Sequence, residues 1–234
     1  MHSLRKFYRW RLFTIVMALA LLAGATTAGA FVPRSPQVPF FPTILQAYLN
    51  YMSESINVTT DQLDGQIWST SVSGNASFTL MLEMTATSNA NSVGVYNATG
   101  VTPALFQVFP GTASAGWHAM AHFGSGSLVV TLFDQNGFYM GQTNYTGVNE
   151  QQFGFYLQGP NGTFYSEDFR NGGNPQVLTF AGTGRNFGDW WQCFEDSGYL
   201  PATSDFDDAV LLLQSVVPIP AEAKSWTNVK DLYR

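Results

Sequence analysis

The chain contains a single cysteine, Cys193, in 234 residues. No internal disulfide can form, so the fold must be held by its core, helped by any bound ion. Charge is also scarce: Asp, Glu, Lys and Arg make up 11% of the residues. Four of the ten bases, Arg5, Lys6, Arg9 and Arg11, lie within the first 30 residues. From Phe31 onward sixteen acids face six bases, a net charge of −10. A basic nucleic-acid footprint is therefore absent, and an anionic membrane surface is disfavoured. Catalytic signatures are missing too. There is no Gly-x-Ser-x-Gly elbow, no phosphate loop and no His-Glu-x-x-His. His118 and His122 lie in an alternating pattern that reads as a strand, where residues four apart stand about 13 Å apart and cannot share a metal. Glu167–Asp168 and Glu195–Asp196 are adjacent pairs, which on a strand point to opposite faces rather than flanking a sugar cleft. Cys193 has no cationic neighbour in sequence and reads as a buried thiol. These absences predict a protein that is not an enzyme.

What is present begins with a leader-like N-terminus. The bases precede an apolar run from Leu12 to Ala23, and Ala28-Gly29-Ala30 fits a small-x-small cleavage site. The run is shorter than the ~20 residues that span a bilayer. Residues 1–30 are therefore expected to be a signal peptide, which predicts a secreted or cell-surface protein with no membrane anchor after cleavage. Pro33, Pro36, Pro39 and Pro42 mark an extended arm. Thr43 is placed to cap a short helix running to about Ser55, with Leu45, Tyr48, Leu49 and Met52 on one side. That helix is expected to cover an open end or edge of the domain.

The remainder reads as strands. Phe78, Leu80, Leu82 and Met84 alternate with more polar neighbours. Apolar or alternating runs recur at Val93–Tyr96, Ala104–Phe109, Trp117–Phe123, Ser127–Phe133, Phe153–Leu157, Thr163–Tyr165, Gln176–Phe180, Trp190–Phe194 and Ala209–Val216. Asp134-Gln135-Asn136-Gly137 and Gly159-Pro160-Asn161-Gly162 are hairpin signals between them. Many short strands with one helix ahead of them predict an all-β, antiparallel β-sandwich, with jelly-roll topology as the first expectation. The expected layout is arm and helix over 31–56, sandwich over 57–216, and a C-terminal tail over 217–234 after Pro218 and Pro220.

The most informative stretch is Glu195 to Asp208. It gathers five carboxylates, Glu195, Asp196, Asp205, Asp207 and Asp208, in fourteen residues of a charge-poor chain. Apolar runs flank it, and Gly198 and Pro201 break its middle. The pattern is strand, loop, strand, with acids at both loop ends. Such a cluster is either well solvated or holds a cation. Oxygen-only ligands suit a hard ion, Ca²⁺ before Mg²⁺. The spacing is not that of an EF-hand, because the sixth position from Asp196 is Pro201 and the twelfth is Asp207.

Phe194-Glu195-Asp196, a Gly-containing gap, then Asp205-Phe206-Asp207-Asp208 and an apolar strand resemble the end of a bacterial extracellular domain family of unknown function. Val93–Tyr96, Phe153–Leu157, Tyr165-Ser166 and Asn174–Leu178 resemble its earlier strands, so the similarity covers roughly Ser69 to Ser215. Membership would imply a calcium-binding β-sandwich in a secreted or surface protein. The family often has Asp-x-Asp-Phe-Asn-Asp, whereas here Thr203 replaces the first Asp and Asp207 replaces the Asn.

The expectation is thus an exported, non-catalytic surface or matrix protein with a calcium-stabilised sandwich. Two other classes remain open. Trp117, Trp190 and Trp191 are candidate stacking platforms for a surface glycan, as in a carbohydrate-binding module. Adjacent Trp190 and Trp191 cannot both face inward on a regular strand, so one must meet solvent or lie under the helix or tail. Self-association into an extracellular assembly is the other. Five Asn-x-Ser/Thr sequons begin at Asn57, Asn75, Asn97, Asn144 and Asn161, and in a chain of this character read as polar turns.

Overall fold

The computed structural model describes residues 32–71, 73–84 and 91–219. The expected leader and the Glu222–Arg234 segment lie outside them. No helix among the described residues is long and apolar enough to cross a membrane.

The extended arm leads into α1 (Thr43–Tyr51). Thr43 is the first helical residue rather than the cap, which is Pro42 and makes no side-chain capping bond. The helix ends short of Ser55 because Ser53 takes a left-handed conformation, φ 64°, which no helix can propagate. Among the described residues thirteen strands follow: β1 (Ile67–Thr70), β2 (Asn75–Glu83), β3 (Ser92–Asn97), β4 (Leu105–Phe109), β5 (His118–Gly124), β6 (Ser127–Phe133), β7 (Tyr139–Thr146), β8 (Phe153–Gly159), β9 (Gly162–Tyr165), β10 (Val177–Ala181), β11 (Trp190–Phe194), β12 (Ala209–Gln214) and β13 (Val216–Ile219). They form two antiparallel sheets packed as a sandwich. A six-stranded sheet runs β13-β1-β8-β3-β4, with β9 also on β8. A seven-stranded sheet runs β10-β11-β12-β2-β5-β6-β7. First pairs with last, β1 with β13, and second with second-to-last, β2 with β12. Two up-and-down meanders, β5-β6-β7 and β10-β11-β12, extend that nested order. The sheet continues beyond the expected boundary at 216: Val217 and Pro218 pair with Ser69 and Trp68. Proline is tolerated there because β13 is an edge strand.

Alternation decides what each strand buries. Phe78, Leu80, Ala119, Phe123, Leu128, Phe155, Trp190 and Leu211 all point between the sheets. Trp68 centres this core, edge-on to both Phe155 and Trp190 with ring centroids 5.7 Å away in each case. Every residue of β11 is buried, which requires cover on both faces. The second cover is α1 and the arm. Leu45, Leu49, Val38 and Phe40 pack on Leu178, Phe180, Trp191, Cys193 and Val210. The helix therefore covers an outer sheet face rather than an end or edge. Glu54, just past the helix, accepts hydrogen bonds from both the backbone N–H and the hydroxyl of Thr183, each 2.6 Å, and fastens this layer. Burial pushes the Glu54 carboxyl up, but the bonds from Thr183 and Asn186 outweigh it and hold it below its usual range.

On the outer face of the six-stranded sheet, Arg170 and Glu167 form a buried ion pair at 2.6 Å. Tyr96 donates to the same carboxylate oxygen at 3.1 Å. The guanidinium also donates to the carbonyls of Ala98, Gly100 and Val101. Asp168, the neighbouring acid, pairs instead with Arg34 of the arm. The two adjacent carboxylates thus hold separate arginines.

Candidate cation site at the end of the seven-stranded sheet

Strand register builds the site. Phe194 pairs with Ala209, so the next rung outward sets Glu195 opposite Asp208. Glu195 N–H donates to the Gln176 carbonyl at 3.0 Å, and Met84 N–H donates to that of Asp208 at 3.1 Å. Side chains opposite one another on adjacent strands share a face, so two carboxylates thirteen positions apart in sequence become neighbours. Asp196 joins them: its backbone N–H donates to Asp208 Oδ2 at 2.7 Å. Ligand oxygens of Glu195, Asp196 and Asp208 all lie within 4.8 Å of one another.

Neighbouring groups hold the triad. Ser197 donates to Glu195 Oε1, and Asp205 N–H donates to Glu195 Oε2 at 3.1 Å. Asn91 Nδ2 donates to Asp196 Oδ2 at 2.7 Å. Asn161, at the β8–β9 hairpin, donates to the Asp196 carbonyl at 3.1 Å. The Oδ1 atom of Asn91 is buried without a hydrogen-bond partner, and the residue is 6% exposed. A buried amide oxygen left unpaired costs free energy, so holding Asn91 against Asp196 carries a cost. Sequence reading found the three acids but not Asn91 or Asn161. Those amides come from loops far away in the chain, and nothing in their local sequence marks them.

The other two acids of the stretch do not join the triad. Asp205 and Asp207 lie beside each other. Asp207 is 3% exposed, with Oδ2 buried and unpartnered. Burial, with Asp205 and Glu195 adding negative charge, pushes its carboxyl up to about 6. Asp208 is raised to about 7, by burial first and then by Asp196, Glu195 and Asp205; the bond from Asp196 N–H opposes this. Burial and the nearby Asp207 also push the Cys193 thiol up, so it is an inert core group. Of the five acids expected as ligands, Glu195, Asp196 and Asp208 are the ones whose oxygens lie within 4.8 Å of one another, and Asp205 and Asp207 flank them across Phe206, whose φ is 57°. Phe206 itself is fully buried, edge-on to Phe40 of the arm at 5.3 Å. Phe41 N–H donates to the Ser204 carbonyl at 2.8 Å, and the Tyr199 hydroxyl donates to that of Pro39 at 2.6 Å. The acidic loop therefore also clasps the arm.

The three tryptophans expected to offer a sugar platform are all buried. Trp190 faces the inter-sheet core, with its indole N–H on the Val216 carbonyl at 3.0 Å. Trp191 turns to the opposite face and lies under Tyr48 of α1, ring centroids 6.5 Å apart. Trp117 is 9% exposed and donates to Gln135 Oε1 at 3.0 Å. None presents a ring face to solvent. His118 and His122 are likewise separate: the first stacks on Phe133 at 4.9 Å, and the second is bonded to Asn75 at 2.7 Å.

The class of protein defined by these features is an antiparallel β-sandwich with a carboxylate cluster at one sheet end. No family model, no curated protein and no solved structure matches the chain.

Proposed function

We propose that this is an exported, non-catalytic surface or matrix protein whose sandwich is stabilised by Ca²⁺ held by Glu195, Asp196 and Asp208. The convergence of three carboxylates within 4.8 Å carries the reading. Bringing like charges together in a half-buried place is unfavourable unless a cation or protons neutralise them. The donor set is three carboxylates, all oxygen, which favours a hard ion. The leader-like N-terminus and the resemblance of the acidic stretch to an extracellular domain family point the same way. Bound there, the ion would tie the β11–β12 loop to the ends of both strands and so fix the arm that the loop clasps.

The test is a thermal melt of the purified protein with excess chelator, then with millimolar Ca²⁺, then with Mg²⁺. A calcium-specific rise in midpoint is expected, since an ion that binds only the folded state stabilises it. Equal midpoints in all three conditions would refute the proposal.

A further inference from the structure

An exposed strand edge is a row of unpaired N–H and C=O groups, and folded proteins normally blunt it. Most edges here are blunted. The β10 edge is met by Leu63, whose N–H donates to the Thr179 carbonyl at 2.9 Å. β13 carries Pro218. β9 spans only four residues. On β4, the Gln107 carbonyl accepts from the Tyr145 hydroxyl at 2.9 Å, and Phe106 meets the Tyr145 ring. The exception is β7. It is eight residues long, Tyr-Met-Gly-Gln-Thr-Asn-Tyr-Thr, without a proline or a charge; a bulge at Met140 interrupts one end, but Gly141 to Thr146 keeps unbroken register with β6. Among the described residues nothing pairs with its far side.

The strand also overhangs the core. Thr143 is opposite Val130 and shares its inward face, yet Val130 is buried and Thr143 is exposed. The six-stranded sheet does not reach far enough to cover it. At one end Phe138, Tyr139 and Met140 are 69%, 63% and 49% exposed. From Ser127 to Val148 the only charged side chain is Asp134, in the turn.

We propose that β7 is the seam of a homodimer, in which a second copy adds its own β7 antiparallel and two seven-stranded sheets continue as one. Charge selects this occupant. A chain of net charge −10 beyond its first 30 residues repels its own copies over most of its surface, and the charge-free β7 strip is where two can meet. Pairing about a two-fold is self-complementary by construction. It satisfies the free edge groups of both copies and covers Thr143 and Met140. The seam does not depend on the cation site.

Sedimentation velocity of the purified protein up to about 100 μM, with calcium and with chelator, tests the proposal. A reversible monomer–dimer equilibrium is expected in both conditions. T143K places an inward-pointing charge on the edge and meets its own copy across the two-fold, so dimerisation should weaken tenfold or more, with the melting midpoint unchanged at concentrations low enough for the wild type to be monomeric. N144K, one residue along on the other face of the strand, should act likewise. In the wild type, amide exchange of residues 139–146 should slow as concentration rises. A chain that stays monomeric throughout overturns the proposal. So does a dimer that both variants leave intact, or one whose β7 amides exchange at a concentration-independent rate.

Discussion

Replacing Asp208 with Asn should have opposite consequences with and without calcium. Asn keeps an oxygen that can accept from the Asp196 N–H but carries no charge. In the calcium-free protein Asp208 is raised from 3.8 to about 7, by burial and then by its acidic neighbours. Each tenfold gain in proton affinity corresponds to about 1.4 kcal/mol, so keeping the group ionised in the fold costs at most about 4 kcal/mol. A carboxyl raised on folding favours the protonated native state. Its contribution is fully present below the unfolded value near 3.8 and is lost as pH rises through about 7. With chelator, the wild type should therefore melt higher at pH 5 than at pH 8. D208N should match or exceed the wild type at pH 8 and show a flatter pH profile. With calcium the order reverses. An extracellular-type site with Kd about 10⁻⁴ M, at 100-fold excess, contributes about 2.7 kcal/mol. For a domain of this size that is a midpoint rise of about 5 to 10 °C, which D208N should largely lose. Calorimetric melts of both proteins at the two pH values, with and without calcium, read all of this. If D208N were less stable than the wild type by the same amount with calcium and with chelator, the cluster would be a packing feature and the cation reading would fail.

Two further outcomes test the frame around the site. Arg170→Ala removes one partner of a buried ion pair and leaves Glu167, 2% exposed, without its guanidinium. A loss of about 3–5 kcal/mol is expected in denaturant titrations, equal with calcium and chelator. Trp191→Ala should cost about 3–5 kcal/mol and speed amide exchange across residues 43–51, because the ring is the floor on which α1 sits. A cost below about 0.5 kcal/mol would mean the side chain is surface-exposed, contrary to the packing described.

Periodicity alone made the sandwich legible. Phe78, Leu80 and Leu82 alternate because β2 has one face toward the core, and Asn136-Gly137 permits the tight turn that β6 and β7 need. The acidic stretch was also visible as a local excess of charge in a chain that has little. What the linear pattern could not assign was the partner across each strand. Trp190 and Trp191 must point apart, but whether the second meets solvent, sugar or helix depends on where α1 folds back. That placement is set by burial of Leu45 and Leu49 against residues more than a hundred positions away.

The amino-acid sequence by itself determined the strands, the turns, the scarcity of charge and the concentration of acids near the C-terminus, because these rest on local chemistry and short-range alternation. Only the tertiary structure decided that Glu195, Asp196 and Asp208 converge while Asp205 and Asp207 do not. It also decided that Asn91 and Asn161 reach the same place, and that β7, among the described strands, keeps a long open edge. Each of these depends on register between distant strands, and a shift of one residue reverses the face of every side chain on a strand.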